Sequence, residues 1–331
     1  RIRRTVIDLF FYSYLQIKIQ EKIFKVNTID KMDFSKVENL FESYKRFIKD
    51  YKLNKDEVIK EIKEYALIFI ENFEPEIVNN ELSHSHGIER VNAIIFGLEQ
   101  STLIPYILYV LKNVNCKDDR NSIFKFIESY IMRRMIVKAT TKNYNQLFTD
   151  RLINNEVLSK DQLINLLTEN DNKINFIPSD ESLQKGFDES ILINYQAVGI
   201  LYMIETIVRD KSKHSTKLLG MKKYSLEHLM PKKWVNKWDK LSIKNEEDFR
   251  NFKLKTLGNL AIITQSLNAS IRDSNWDVKK NGNGKNQGLK HFSSGIETLL
   301  PYLEINDWNE VQIQLRSDSL FEYARVIWSI N

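Results

Sequence analysis

Apolar residues at three- and four-residue spacing run through the first two thirds of this chain, and short β-prone stretches stand out only at residues 224–230 and 257–264. Val37, Leu40, Phe41, Tyr44 and Ile48 recur at helical spacing, as do Val58, Ile62, Tyr65, Ala66 and Phe69, and again Ile123, Phe126, Ile127, Tyr130 and Ile131. This pattern predicts a mainly α protein: an all-helical domain over residues 1–213, followed by a smaller mixed domain over 214–331. A shift in composition supports that boundary. All five tryptophans and six of the ten glycines lie at or beyond Gly220.

At 331 residues and 42% hydrophobic content the chain is long enough for two ordinary buried cores. It has no run of about 18 uncharged apolar residues, the length a membrane span needs. The richest early stretch, Val6 to Ile23, is interrupted by Asp8, Gln16, Lys18 and Gln20 and lacks a small-residue cleavage site. The single cysteine, Cys116, excludes an internal disulfide framework and a cysteine-bound structural zinc, so a cytoplasmic location is expected. The net charge of +5 is unevenly placed. From His214 onward there are 18 Lys and Arg against 13 Asp and Glu, whereas the first 213 residues carry 31 of each. Between Lys222 and Lys290 the ratio sharpens to 15 against 7. Such an excess suits a polyanionic substrate, with a solvated lysine-rich surface as the plainer alternative.

The chemistry concentrates in the same region. Tyr224 to Met230 reads as a strand that leaves its sheet at Pro231, with His228 near its exposed end. Leu257 to Thr264 reads as a second strand with Gly258 at its start, and the polar residues from Gln265 suit a helix entry. A histidine with an ordinary pKa near ~6.5 takes a proton from water at neutral pH. Asn268, on the helix, offers a neutral oxygen to a hard cation such as Mg2+, which keeps most of its waters and accepts one or two protein ligands. Asn259 suits orientation, its amide pinning the loop that carries His228. Lys232 and Lys233 flank the histidine strand, and Lys279 and Lys280 would bind phosphate if their helix follows the groove.

Glu227-His228-Leu229-Met230-Pro231, Leu257-Gly258-Asn259-Leu260, the nine-residue step from Asn259 to Asn268, and Asn275-Trp276-Asp277-Val278-Lys279-Lys280 together resemble the HNH (His-Me finger) nuclease domain of GmrSD-type restriction endonucleases. Ile127 to Arg134 and Asn143 to Phe148 are similar to the helical segment preceding that domain. Trp308, Arg316 and Trp328 lie in a helical tail of the same style. The resemblance implies a ββα-metal fold and a Mg2+- or Mn2+-dependent endonuclease acting on DNA, plain or modified, in restriction or phage defence. His228 and Asn259 would be its catalytic pair and Asn268 its metal ligand. Related nucleases often place an acidic ligand just before the histidine, which makes Glu227 a second candidate. Adjacent strand residues face opposite ways, so Glu227 reaches a metal only if the strand ends there, and a structural role stands beside the ligand role. The family's NTP-binding domain has no counterpart here, and there is no GxxxxGK[ST] loop. The expectation is a C-terminal portion of a longer protein, nicking one strand per site, with a homodimer as one route to a double-strand break.

Two alternatives stand beside this reading, a non-cleaving nucleic-acid-binding or sensing module and an RNA-directed nuclease. Ser83-His84-Ser85-His86 has no third ligand at metal spacing and reads as an exposed loop. His214 and His291 stand alone, and Asn281 to Asn286 reads as a flexible, substrate-facing loop.

Overall fold

Thr5 opens the first helix, α1 (Val6–Gln20), with a capping box in which its hydroxyl accepts from the Asp8 amide while Asp8 accepts from the Thr5 backbone. Asn54 caps α2 (Lys55–Asn72), and Pro105, where a missing amide costs nothing, sits in the first turn of α3 (Ile104–Asn113). The computed structural model describes residues 4–169, 174–209, 218–292 and 296–330. Two compact units emerge, one from Arg1–Pro75, His86–Lys125 and Thr140–Phe176, the other from Glu76–Ser85, Phe126–Ala139 and Ile177–Asn331. The boundary expected at 213/214, and His214 with it, lies outside the described residues. Two helical stretches from the first 213 residues, Phe126–Ala139 and the segment from Ile177, belong to the second unit.

The first unit is helical, with a core rich in aromatic side chains. Phe10 meets Phe69 edge to face at 5.3 Å, Tyr14 meets Tyr65 at 5.4 Å, and Phe69 stacks on Phe73 at 4.5 Å. The stripe expected through Phe41 is displaced. In the helix Leu40–Asp50 it is Phe47 that is buried, with Leu40 and Tyr44 partly buried against it, and Phe41 is 71% exposed. The face has turned toward the larger cluster of Leu15, Ile19, Phe34 and Phe47.

The second unit contains the residues of α4 (Lys117–Ile136) from Phe126 onward, α5 (Asn194–Val208), strands β1 (Tyr224–His228) and β2 (Leu260–Thr264), and four later helices: α6 (Lys244–Lys253), α7 (Gln265–Ile271), α8 (Trp276–Asn281) and α9 (Glu310–Ile327). β1 and β2 pair antiparallel from Tyr224 opposite Thr264 to His228 opposite Leu260. Among the described residues this two-stranded sheet is the only one, so the molecule is mainly helical. Thr264 ends β2 and caps α7, its hydroxyl accepting from the Leu267 amide, so the chain passes from strand to helix without a loop.

Buried arginines brace this unit. Arg133 donates to the Trp328 carbonyl at 2.7 Å, to the Pro178 carbonyl at 3.0 Å and to Asp180 at 2.6 Å, while the Trp328 indole donates to Glu128 at 3.1 Å. Arg134 is also buried, its guanidinium lying 5.3 Å from the Tyr130 ring centroid. Neither arginine is exposed to a polyanion.

Candidate active site

β1 continues through His228, so period-two alternation sends Glu227 and His228 to opposite faces of the strand. β1 ends at His228, so it is the partner of Glu227 rather than strand alternation that bears on a ligand role. Glu227 is buried and forms an ion pair with Lys279, which is itself fully buried on α8 and donates a second bond, 2.7 Å long, to the His228 carbonyl. Burial pushes the Glu227 carboxyl up and the Lys279 ammonium down, and the charge of each partner pulls the other back.

Lys279 is therefore a strut beneath the strand, not a surface phosphate contact as the sequence suggested. Lys280 is likewise buried and donates to the Ile305 carbonyl at 2.8 Å. A helix that buries both its lysines cannot lay them along a nucleic-acid groove. Lys232 and Lys233, just after β1, are exposed.

His228 is half-buried, and its ring makes no hydrogen bond among the described residues. Burial, aided by the positive charges of Lys232 and Lys279, pushes its pKa down to about 4. At neutral pH the imidazole is uncharged and able to accept a proton.

Asn259 lies in the turn Leu257–Asn259 that leads into β2, and it is completely buried. Its Oδ1 accepts from the Met230 amide and from the Trp308 indole, both at 2.9 Å. Its Nδ2 donates to the carbonyls of Met230 and Leu254, also at 2.9 Å. Both donors and both lone pairs are thus used, and the Asn259 carbonyl accepts from the Leu229 amide at 2.9 Å. A saturated, buried amide has no capacity left for substrate. It holds the two residues after His228. The turn needs Gly258 because a Cβ there would lie 2.2 Å from the Ile313 carbonyl of α9. Arg316, also on α9, closes the turn from behind, with Nη1 donating to the carbonyls of Gly258 at 3.0 Å and Leu260 at 2.6 Å. Its complete burial pushes its pKa down to about 10.

Asn268 on α7 donates its amide to the Ser225 hydroxyl and to the Leu226 carbonyl, each at 3.1 Å. A carbonyl only accepts, so the nitrogen must be the end facing Leu226, which leaves Oδ1 without a hydrogen bond among the described residues. No hydrogen bond joins the His228 ring to Asn268 among those residues.

Among the described residues no three of His, Cys, Asp and Glu cluster, and Glu227 is committed to Lys279; the Asn268 oxygen is a neutral donor of the kind that a largely hydrated Mg2+ or Mn2+ accepts. Elsewhere, His84 is half-buried with its Nδ1 2.6 Å from the Thr206 carbonyl, so Ser83 to His86 is not the freely exposed loop expected. His291 is exposed. Asn281 to Asn286 forms a bonded turn, closed by the Asn283 amide on the Asn286 carbonyl at 3.1 Å, with Gly282 at φ 89°.

Sequence reasoning missed the roles of Lys279, Trp308 and Arg316. A buried indole or guanidinium needs acceptors, but nothing in a linear pattern says which carbonyls supply them.

A histidine strand pinned by a buried asparagine, paired with a second strand that runs directly into a helix, is a compact frame for acid-base chemistry. Residues 177–323 match the family model described as GmrSD restriction endonucleases, C-terminal domain. Over that stretch the chain is similar to a GmrSD-type C-terminal domain, and the stretch includes β1, β2, Asn268, Trp308 and Arg316 but not Ile127 to Arg134 or Trp328. Neither the curated proteins nor the solved structures contain a match to the chain. No described helix is long and apolar enough to cross a membrane.

Proposed function

We propose that the second unit is a metal-dependent endonuclease of the HNH type that hydrolyses phosphodiester bonds in DNA, with His228 as general base. The observation that carries this reading is a half-buried imidazole, with no hydrogen-bond partner among the described residues, at the end of a strand whose next two residues are fastened by a saturated amide. His228 takes the proton of the attacking water. Asn259 acts through the backbone at Leu229 and Met230, fixing where that imidazole points. The free oxygen of Asn268 would hold Mg2+ or Mn2+, and such a cation, when bound, stabilises the charge that develops on the phosphate and the departing oxygen. Lys232 and Lys233 are the exposed cations beside the strand that would grip the phosphate backbone. One site cuts one strand, so the product is a nick.

The deciding experiment is a supercoiled-plasmid assay of the chain and of His228→Ala with Mg2+, Mn2+ or EDTA. Removing a general base should lower nicking by about 10²–10⁴-fold while DNA affinity and unfolding midpoint stay unchanged. Undiminished nicking by His228→Ala would refute the reading. Binding without cutting by the unaltered chain would favour a sensing module, and faster cutting of RNA in competition would change the polymer. Asn268→Ala should lose activity at ordinary Mg2+ and regain part of it at high Mn2+. Asn259→Ala should not be rescued, because metal cannot restore a misplaced base.

A further inference from the structure

Sequence pattern leaves Glu227 with a ligand or a structural role and Lys279 with a phosphate contact only if its helix follows the groove, and the structure joins the two residues. The Lys279 ammonium is fully buried, pairs with the Glu227 carboxylate and donates to the carbonyl of His228, while the next two residues of the chain are held by Asn259. The end of β1 is therefore gripped from two elements, by α8 at residues 227 and 228 and by the Leu257–Asn259 turn at residues 229 and 230. No described residue other than Lys279 forms an ion pair with Glu227. Burying two charges is costly, and packing alone gives no reason to prefer them over two apolar side chains of similar volume.

Resting on the endonuclease reading above, we infer that Lys279 is a positioning residue for His228 and that Glu227 is its anchor rather than a ligand of the catalytic metal. The carboxylate holds the ammonium in place, and the ammonium holds the His228 backbone. Small displacements of a general base carry large rate penalties, so a grip on the His228 carbonyl acts on turnover and not on substrate binding. Asn268 is left as the residue that meets the cation.

The test uses the whole chain with Glu227→Gln, Lys279→Met and the double variant. Lys279→Met alone strands a buried carboxylate and is expected to unfold more readily. The double variant removes both charges at nearly constant volume but leaves a buried amide and the His228 carbonyl without the ammonium, so its thermal midpoint should fall, though less than that of Lys279→Met. In that folded double variant, nicking turnover should fall at least tenfold, with the KM for plasmid and the Mg2+ concentration for half-maximal activity both unchanged. Peptides spanning residues 226–230 should exchange their amide hydrogens faster, with no metal or DNA present. Wild-type turnover in the double variant would overturn the positioning role, and a raised Mg2+ requirement in Glu227→Gln would make Glu227 a ligand after all. If the unaltered chain proves unable to nick, the endonuclease reading fails on its own. The exchange measurement then decides this one, and unchanged protection at residues 226–230 overturns it.

Discussion

The two units of this molecule bury different chemistry. The first is held by aromatic and aliphatic packing, and many of its ion pairs stand in solvent, as with Lys22 and Glu156 at 2.8 Å or the Arg46 fan toward Asp30, Asp33 and Asp50. The first also encloses Arg90, Asn92, Gln16 and Lys18, but the second encloses more charged groups, among them Arg133, Arg316, Glu205 and the Glu227–Lys279 pair, together with the Asn259 amide. Apolar packing tolerates small shifts because dispersion and burial have no direction, whereas a buried polar group must meet its partner at bonding distance or lose about 1–3 kcal/mol. A unit that must hold a base in place gains from the second kind of interior.

The sharpest way to break this contrast is Asn259→Ala. It leaves the Met230 amide and carbonyl, the Leu254 carbonyl and the Trp308 indole without their partner. Unfolding stability should fall by about 3–5 kcal/mol in a denaturant titration, since each stranded group costs about 1–3 kcal/mol and relaxation recovers part of the sum. A loss below about 1 kcal/mol would mean that the amide is not the keystone of the turn.

Glu205 offers a test through pH. Burial raises its pKa from the ordinary 4.5 to about 7, against the opposing bonds from Thr298 and the Glu297 backbone. A carboxyl whose folded pKa lies above its unfolded one contributes stability that is full below pH 4.5 and is lost as pH rises through about 7. The loss amounts to about 3 kcal/mol, at about 1.36 kcal/mol per pH unit of difference. Urea midpoints should therefore drop between pH 5 and pH 8, and Glu205→Gln should flatten that dependence. An equal drop in both proteins would place the titration elsewhere.

Lys232→Ala/Lys233→Ala should leave the fold intact and reduce the slope of log DNA affinity against log salt by up to about two. An unchanged slope would separate the basic excess from the substrate. The smallest effect belongs to the first unit, where Lys22→Ala breaks an exposed pair and should leave the thermal midpoint within measurement error. A large shift there would erase the distinction between the two interiors.

Much of the site could be read before folding because its parts are local. His228 stands three residues before Pro231 and Asn268 sits on the helix that Thr264 caps, so local punctuation places these two in the expected strand and helix, whereas Asn259, expected on the second strand, lies in the turn Leu257–Asn259 that precedes it. The free oxygen of Asn268 and the saturation of Asn259 were not legible, because they depend on carbonyls and an indole brought from Leu226, Met230, Leu254 and Trp308. The lysines show the same limit from the other side. All four are identical in sequence terms, yet Lys232 and Lys233 are exposed and Lys279 and Lys280 are buried, because α8 packs inward against β1 and the Ile305 carbonyl.

Sequence by itself determined that this chain is mainly helical, that a short strand pair interrupts the helices, and that one histidine and two asparagines lie at its ends, since periodicity, proline, glycine and capping residues act over a few positions. Only the tertiary structure decided that Glu227 faces an ammonium, that Asn259 spends its whole bonding capacity on backbone groups and the Trp308 indole, and that α9 supplies Arg316 to the turn. Those outcomes depend on which distant groups become neighbours when apolar faces are buried, and burial then obliges every polar group caught inside to find a partner.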